Sequence, residues 1–267
     1  MTRKIGFIGA GNMAQAMIQG MLAAQLYPAE ELVVYNHRYA PTLEKVVTTY
    51  QITPELELTA FMKKVDIIIL AVKPPIVPTI LAQLTSLLTD EQVLVSIAAG
   101  VTIAQIQEVV GAKPVIRVMP NTPAMVGEGM SSLSPSKEVL AADLAAVKIC
   151  MASFGKTAVV AETVMDAVVG VSGSAPAYVY LFIEALADGA VAEGMPRQLA
   201  YEFAAQTVLG SAKMVLESGL HPGELKDRVC SPGGTTIAAV QSLEENGFRA
   251  ATIKAVRTAA QKNKELS

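Results

Sequence analysis

The sequence predicts an α/β fold, with a parallel sheet in residues 1–162 and an all-α domain in residues 163–267. Three observations predict it. Short β-rich runs alternate with longer amphipathic stretches over the first part of the chain. A glycine-rich turn joins the first run to the first helix. After Glu162 no strand-like run remains.

The expected strands lie at 4–8, 32–35, 66–72, 93–97 and 115–119, with helices at 12–24, 41–50, 75–87 and 102–109 between them. Strands that are apolar throughout and separated by helices indicate a parallel sheet covered on both faces. Two later runs, at 129–133 and 157–160, are expected to add edge strands around a helix at 137–153. Beyond them, 163–191, 196–218 and 233–262 read as helical, punctuated by Gly194-Met195-Pro196 and by 219–223. The helix at 177–192 is apolar or small on nearly every side, where a surface helix shows one stripe. Two burials satisfy that: the core of a compact helical domain, or an interface between subunits. The second is preferred, because obligate interfaces resemble a domain core cut in half.

Gly9, Gly11 and Ala14 form G-x-G-x-x-A after the first strand and at the opening of the first helix. Gly9 permits the tight turn, Gly11 lets the backbone approach a pyrophosphate, and Ala14 lets helix and sheet pack closely. The pyrophosphate then faces unpaired N–H groups at the helix N-terminus. This is the Rossmann fingerprint in its confirming context. At the end of the second strand an NAD site usually carries an acid for the ribose hydroxyls. Here the chain reads Tyr35-Asn36-His37-Arg38. Asn36 can donate to a 2′-phosphate and Arg38 can pair with it, so NADP is favoured over NAD. His37 either joins in or is a solvated turn residue. Other candidates follow strands at the sheet's carboxyl edge: Val72-Lys73-Pro74, Ala98-Ala99-Gly100 and Met119-Pro120-Asn121-Thr122-Pro123. Lys73 faces a phosphate, the ribose or solvent; Asn121 is placed to orient the nicotinamide end.

A net charge of −3, with no basic patch, argues against nucleic acid as a partner. Two cysteines, Cys150 and Cys230, make neither a disulfide framework nor a metal cluster, and no metal is expected. The N-terminal residues lack the pattern of a secretory leader. The most apolar run, 164–189, is interrupted by Asp166, Pro176, Glu184 and Asp188, so membrane insertion is not expected. His37 and His221 are the two histidines, which leaves little room for a histidine-centred mechanism.

The second concentrated signal runs from Leu225 to Ile237. A helix is expected to end near Val229, Ser231-Pro232-Gly233-Gly234 to turn, and Thr235-Thr236 to open the next helix. Such a start presents unpaired N–H groups and a positive dipole end, enough to hold a small carboxylate without arginine. The plainer alternative is N-capping by Ser231 or Thr235 around a glycine turn.

The stretch His221–Thr236, together with Gly9–Met13, Ala71–Pro74, Met119–Pro123 and Val171–Tyr178, resembles the pyrroline-5-carboxylate reductases, in the same order along the whole chain. The resemblance implies reduction of the cyclic imine 1-pyrroline-5-carboxylate to L-proline, the last step of proline biosynthesis, with NADPH preferred and NADH a weaker alternative. It implies a homodimer, intertwined through the helical domain, with dimers assembling into decamers; the two cysteines fit a reducing, cytoplasmic setting. The active site would form at the dimer interface, between one subunit's cofactor and the other's helices. Carried over by residue, Thr236 is catalytic, its hydroxyl hydrogen-bonding the ring nitrogen. Ser231, Gly233, Gly234, Thr235 and Thr236 hold the substrate, and Glu162 is a substrate-proximal acid. The cofactor is held by Ile8, Gly9, Ala10, Gly11, Asn12, Met13, Asn36, Arg38, Val72, Lys73, Pro74, Ala99, Asn121 and Arg228, the last at a position where relatives also carry Asn.

Two rivals share parts of this pattern. A β-hydroxyacid dehydrogenase needs a catalytic lysine on a second-domain helix, for which Lys213 is the candidate, but leaves the Ser-Pro-Gly-Gly-Thr-Thr turn unexplained. A non-catalytic dinucleotide sensor has no need of the second set of donors. Larger cyclic imines also fit, since one methylene discriminates weakly.

Overall fold

The computed structural model describes residues 3–266; Met1, Thr2 and Ser267, the ends of the two expected domains, lie outside the described residues. In chain order the elements are β1 Ile5–Ile8, α1 Asn12–Ala23, β2 Val33–Tyr35, α2 Glu44–Tyr50, β3 Thr53–Glu55, α3 Leu58–Met62, β4 Ile67–Leu70, α4 Val77–Leu84, β5 Val93–Ser96, α5 Ile103–Val110, β6 Val115–Met119, β7 Gly129–Pro135, α6 Ala141–Ala152 and β8 Gly155–Val159. Then follow α7 Met165–Val168, α8 Ala175–Ala192, α9 Arg197–Ser218, α10 Pro222–Val229, α11 Thr235–Glu245 and α12 Phe248–Leu266.

One eight-stranded sheet has the order β3-β2-β1-β4-β5-β6-β7-β8. All pairings are parallel except β6 with β7. Side chains alternate across it, as the two-residue period of a strand requires. Ile5, Phe7, Ile67, Ile69, Val93 and Val95 enter one core with Met17, Met21 and Met151 of α1 and α6. Ile8, Ile68, Leu70 and Leu94 enter the other, with Phe61, Leu81 and Ile106 of α3, α4 and α5. Each fully buried aliphatic or aromatic side chain contributes about 1.5–3 kcal/mol of transfer free energy, which is why both faces read as apolar in the sequence. Because β1, β2, β4, β5 and β6 run parallel, their following loops gather on one edge. The order reverses between β1 and β4, the position where open α/β sheets bind ligands.

The expected strands and the first helices are found within a few residues of where the pattern places them. Two elements were not expected. β3, Thr-Pro-Glu, carries Pro54, which an outermost strand tolerates because one side of its ladder is unpaired. α3 is a single five-residue turn, too short for a helical period to register. The single helix expected at 163–191 is broken: a π-helical turn, Val169–Gly173, separates α7 from α8. Pro176 in the first turn of α8 explains a fresh start there, since proline lacks an N–H and suits that position. The helix expected at 233–262 divides at Gly247, whose φ of +73° no helix continues.

The chain forms two compact units, one running to Gly173 and resuming at Ala259, the other Ser174–Thr258. The boundary expected at 162/163 differs from this division, because α7 and the end of α12 belong with the sheet. Within that unit Met165 is buried against Met119 and Val169, and Asn263 donates to Asp166 at 2.7 Å. In the helical unit α8 and α9 pack through Ala187, Ala200 and Ala204, alanines that allow close approach. Most of its large apolar residues are uncovered in the protomer, Leu181 and Phe203 among them. A groove of about 470 Å³ there is lined by Tyr178, Leu181, Phe182, Leu186, Leu243 and Phe248. Among the described residues one helical stretch, Glu162–Ala192, is long and apolar enough to cross a membrane by length and composition; it contains the π-helical break and the charges noted above.

Candidate active site

The glycine turn after β1 has the geometry its sequence predicts. Gly9 has φ +104°, and its N–H donates to the Tyr35 carbonyl at 2.9 Å. A Cβ at Gly9 would stand 2.6 Å from the carbonyl oxygen of Ala71. Gly11 is the N-cap of α1, with φ −70° and ψ 177°, and no side chain caps the helix. A Cβ there would meet nothing within 4 Å. Glycine at 11 is therefore not demanded by the fold, and the open space before the uncapped helix matches the approach of a pyrophosphate. Ala14 is fully buried beneath the turn, Ala10 is buried, Met13 is half-buried, and Asn12 is exposed. Ile8 points its side chain into the sheet core and offers the edge only backbone.

Asn36 Nδ2 donates to the Arg38 carbonyl at 2.7 Å, closing the turn after β2. An amide NH2 has two donors, so one hydrogen remains for a ligand. Arg38 and His37 are exposed beside it, and the turn holds no carboxylate. After β4, Val72 is half-buried, while Lys73 and Pro74 are exposed at the start of a 3-10 turn. After β5, Ala99 is exposed.

Asn121 has partners within the fold. Its Oδ1 accepts from Met130 N at 2.9 Å, and its Nδ2 lies 3.3 Å from the Ser172 carbonyl and 3.4 Å from its Oγ. The side chain joins the end of β6 to β7 and to the chain before α8, which competes with orienting a nicotinamide. Glu162 is also engaged. Its Oε1 accepts from Arg117 Nη1 at 3.0 Å and from the backbone N–H of Ile103 at 2.9 Å. Arg117 was not singled out from the sequence, although a lone arginine inside Val-Ile-Arg-Val-Met is the signal for it. It is 3 % exposed, and its Nε and second terminal nitrogen have no partner.

In the helical unit, His221 Nδ1 accepts from Gly223 N at 3.1 Å and caps α10, a structural role. Arg228 on α10 pairs with Glu224 at 2.7 Å and belongs to this unit, not to the sheet that carries the glycine turn. The Ser231–Gly234 turn closes by Gly234 N donating to the Ser231 carbonyl at 3.0 Å, with Gly233 at φ +69°. Gly234 is the N-cap of α11, and no side chain caps it, so capping by Ser231 or Thr235 is not what the turn provides. The first turn of α11 contains no acid, and Thr236 is half-buried within it. An uncapped helix start with adjacent hydroxyls and no carboxylate is chemistry suited to a small anion. Lys213, the lysine a β-hydroxyacid dehydrogenase needs, is exposed on α9 beside Glu217. Among the described residues no cluster of His, Cys, Asp and Glu suits a metal ion.

Known proteins resemble this chain along its whole length. A family described as "Pyrroline-5-carboxylate reductase dimerisation" matches residues 162–266, and one described as "NADP oxidoreductase coenzyme F420-dependent" matches residues 4–100. A pyrroline-5-carboxylate reductase of Escherichia coli (strain K12) is 49% identical over 272 residues, covering 100% of this chain and 99% of the relative. The chain belongs to the pyrroline-5-carboxylate reductase family. A pyrroline-5-carboxylate reductase structure from Coxiella burnetii superposes with a TM-score of 0.93 at 32% identity, covering 100% of this chain and 99% of that one. The Plasmodium falciparum pyrroline carboxylate reductase, solved with NADP bound, gives 0.88 at 34% identity, covering 99% and 98%. The pyrroline-5-carboxylate reductase fold thus accounts for the full described chain.

Proposed function

We propose that this protein reduces 1-pyrroline-5-carboxylate to L-proline with NADPH as the preferred reductant. The observation that carries the reading is the uncapped, acid-free start of α11 at Gly233–Thr236, in a chain matched end to end by pyrroline-5-carboxylate reductases. The cofactor fits the residues present: Gly11 leaves open the space a pyrophosphate needs, and Asn36 and Arg38 offer donors where a carboxylate would repel a 2′-phosphate. Ile8 to Met13 form the pyrophosphate turn, and Val72, Lys73, Pro74 and Ala99 the wall beside it; Asn121 and Arg228 are weaker members, given their other partners. When bound, the reduced nicotinamide supplies the hydride that the imine carbon (C5 in the numbering of proline) accepts.

The chain's own groups bind and orient. Backbone N–H groups of Gly233, Thr235 and Thr236, with the Ser231 and Thr235 hydroxyls beside them, hold the substrate carboxylate at the positive end of α11, while the Gly234 N–H closes the turn. That contact fixes the ring, and fixed geometry lowers the barrier to transfer. The Thr236 hydroxyl hydrogen-bonds the ring nitrogen, where the product amine requires a proton. A hydroxyl is a weak acid, so Thr236 orients and relays, and solvent is the ultimate proton source. Dimerisation, through the apolar faces of α8 and α9, brings this turn to the cofactor; decamers, a cytoplasmic setting, and the lack of nucleic-acid or membrane partners complete the proposal. Thr236→Ala is expected to keep NADPH affinity while L-proline formation loses roughly 10- to 1000-fold in kcat/KM, the range for a lost transition-state donor. Unchanged kcat/KM in that variant would sink the assignment.

A further inference from the structure

We propose that Glu162 and Arg117 form a clamp that sets the cofactor wall after β5, making Glu162 a positioning residue for the dinucleotide and not a contact to the substrate. This rests on the reading above that Ala99 walls the cofactor site.

Arg117 sits in the interior of β6, almost wholly excluded from solvent. A buried guanidinium needs a compensating anion. Glu162 supplies it, and the same oxygen that receives Arg117 receives the Ile103 N–H, the first of α5. A carboxylate at that point also meets the positive end of the helix. The next donors are satisfied separately by a capping box: Thr102 Oγ1 accepts from Gln105 N at 3.2 Å, and Gln105 Oε1 accepts from Thr102 N at 2.8 Å. The start of α5 is therefore fixed from two sides, by its own capping box and by Glu162.

What that start controls is the loop from Ile97 to Thr102. At its near end Ala98 N lies 3.4 Å from Ser96 Oγ. Gly100 turns with φ +73°, packed against Leu266. Between them Ala99 is exposed on the sheet edge. Pro74 and Ala99 line one cavity of about 580 Å³ in the sheet unit, together with Val101 and Gln105. Ile103, which Glu162 anchors, thus ends the short loop that carries the wall residue Ala99, beside the loop after β4. With Arg117 Nε and its second terminal nitrogen lacking partners, Glu162 carries the whole anchoring of the guanidinium.

The test uses full-length protein, NADPH binding followed by fluorescence, and steady-state kinetics. Glu162→Ala and Arg117→Leu are each expected to weaken NADPH binding about 10-fold, the double variant no further, because the two act as one unit. Glu162→Gln keeps an acceptor for the Ile103 N–H and is expected to remain within about 3-fold of wild type. KM for 1-pyrroline-5-carboxylate is expected to stay within about 2-fold throughout, as additivity for an uninvolved site implies. Thr102→Ala loosens the same helix start without touching the buried pair, and a selective loss of NADPH affinity in it supports the clamp even if the charge variants fail to fold. A rise in KM for the imine with NADPH binding unchanged overturns the proposal in favour of a substrate contact. A lowered Tm with NADPH binding unchanged overturns it in favour of a purely structural pair. The NADPH titration needs no turnover, so a failed substrate assignment is distinguishable from a failed clamp.

Discussion

Gly9 and Gly11 belong to one fingerprint but answer to different constraints, and alanine at each separates them. At Gly9 the backbone has φ +104°, where a Cβ costs roughly 1–2 kcal/mol. The added carbon would also stand 2.6 Å from the Ala71 carbonyl oxygen. Ala71 cannot recede freely, because its N–H donates to the Ile8 carbonyl at 2.9 Å beside β4. Overpacking of that kind costs about 1–3 kcal/mol more. Gly9→Ala is therefore expected to lose about 2–5 kcal/mol and to lower the Tm of cofactor-free protein by about 5–20 °C. At Gly11 the backbone is one any residue adopts, and the new Cβ meets nothing. Gly11→Ala is expected to stay within about 1 kcal/mol of wild type without cofactor. Its methyl occupies the pyrophosphate's approach, so NADPH binding weakens about 5- to 150-fold, equivalent to about 1–3 kcal/mol. Differential scanning fluorimetry with and without NADPH reads both, since a ligand raises Tm only as far as it binds. A Gly11→Ala protein that gains the full wild-type Tm increment with NADPH would refute the backbone-approach argument. A Gly9→Ala protein with wild-type Tm would refute the strain argument.

Arg38→Ala removes one charge-assisted contact to a 2′-phosphate, so KM for NADPH is expected to rise about 10- to 150-fold while that for NADH holds; equal change for both cofactors contradicts the assignment. Glu55 is held below the usual carboxylate range, chiefly by the hydrogen bond from Lys64 at 2.8 Å and then by the Glu57 N–H, with burial opposing. A lowered folded pKa contributes stability that is present above the unfolded value and lost as pH falls through the folded one. The Tm gap between wild type and Lys64→Met should therefore close on acidification, and a gap that widens contradicts the pairing. Burial pushes the Cys150 thiol up, with the hydrogen bond to Tyr27, whose hydroxyl is 3.8 Å from Sγ, opposing. Iodoacetamide at neutral pH should leave Cys150 unmodified in folded protein by peptide mass mapping and modify it in denaturant; rapid labelling without unfolding contradicts the burial.

The central strands were legible because burial on both faces leaves little but Ile, Val and Leu, as in Ile67–Leu70. The glycine turn was legible because Gly9 satisfies a backbone rule visible in one letter. β3 and α3 were not, since an edge strand with a proline and a single helical turn carry no period. The break at Val169–Gly173 was missed because small and apolar residues on both sides preserve a helical composition across it. In the site, the donor-rich start of α11 could be read from Ser-Pro-Gly-Gly-Thr-Thr. The other partners of Asn121 and Glu162 could not, because Ser172, Met130 and Arg117 are brought to them only by the fold. The apolar excess of α8 was plain in sequence, and its exposure in the protomer agrees with a helix that an oligomer covers.

The most direct test follows NADPH absorbance as purified protein meets 1-pyrroline-5-carboxylate at neutral pH, with NADH in parallel and L-proline identified by chromatography. Rapid oxidation, stoichiometric L-proline and faster turnover with NADPH than with NADH are expected. Absence of turnover with either cofactor, in folded protein that binds NADPH, would contradict it.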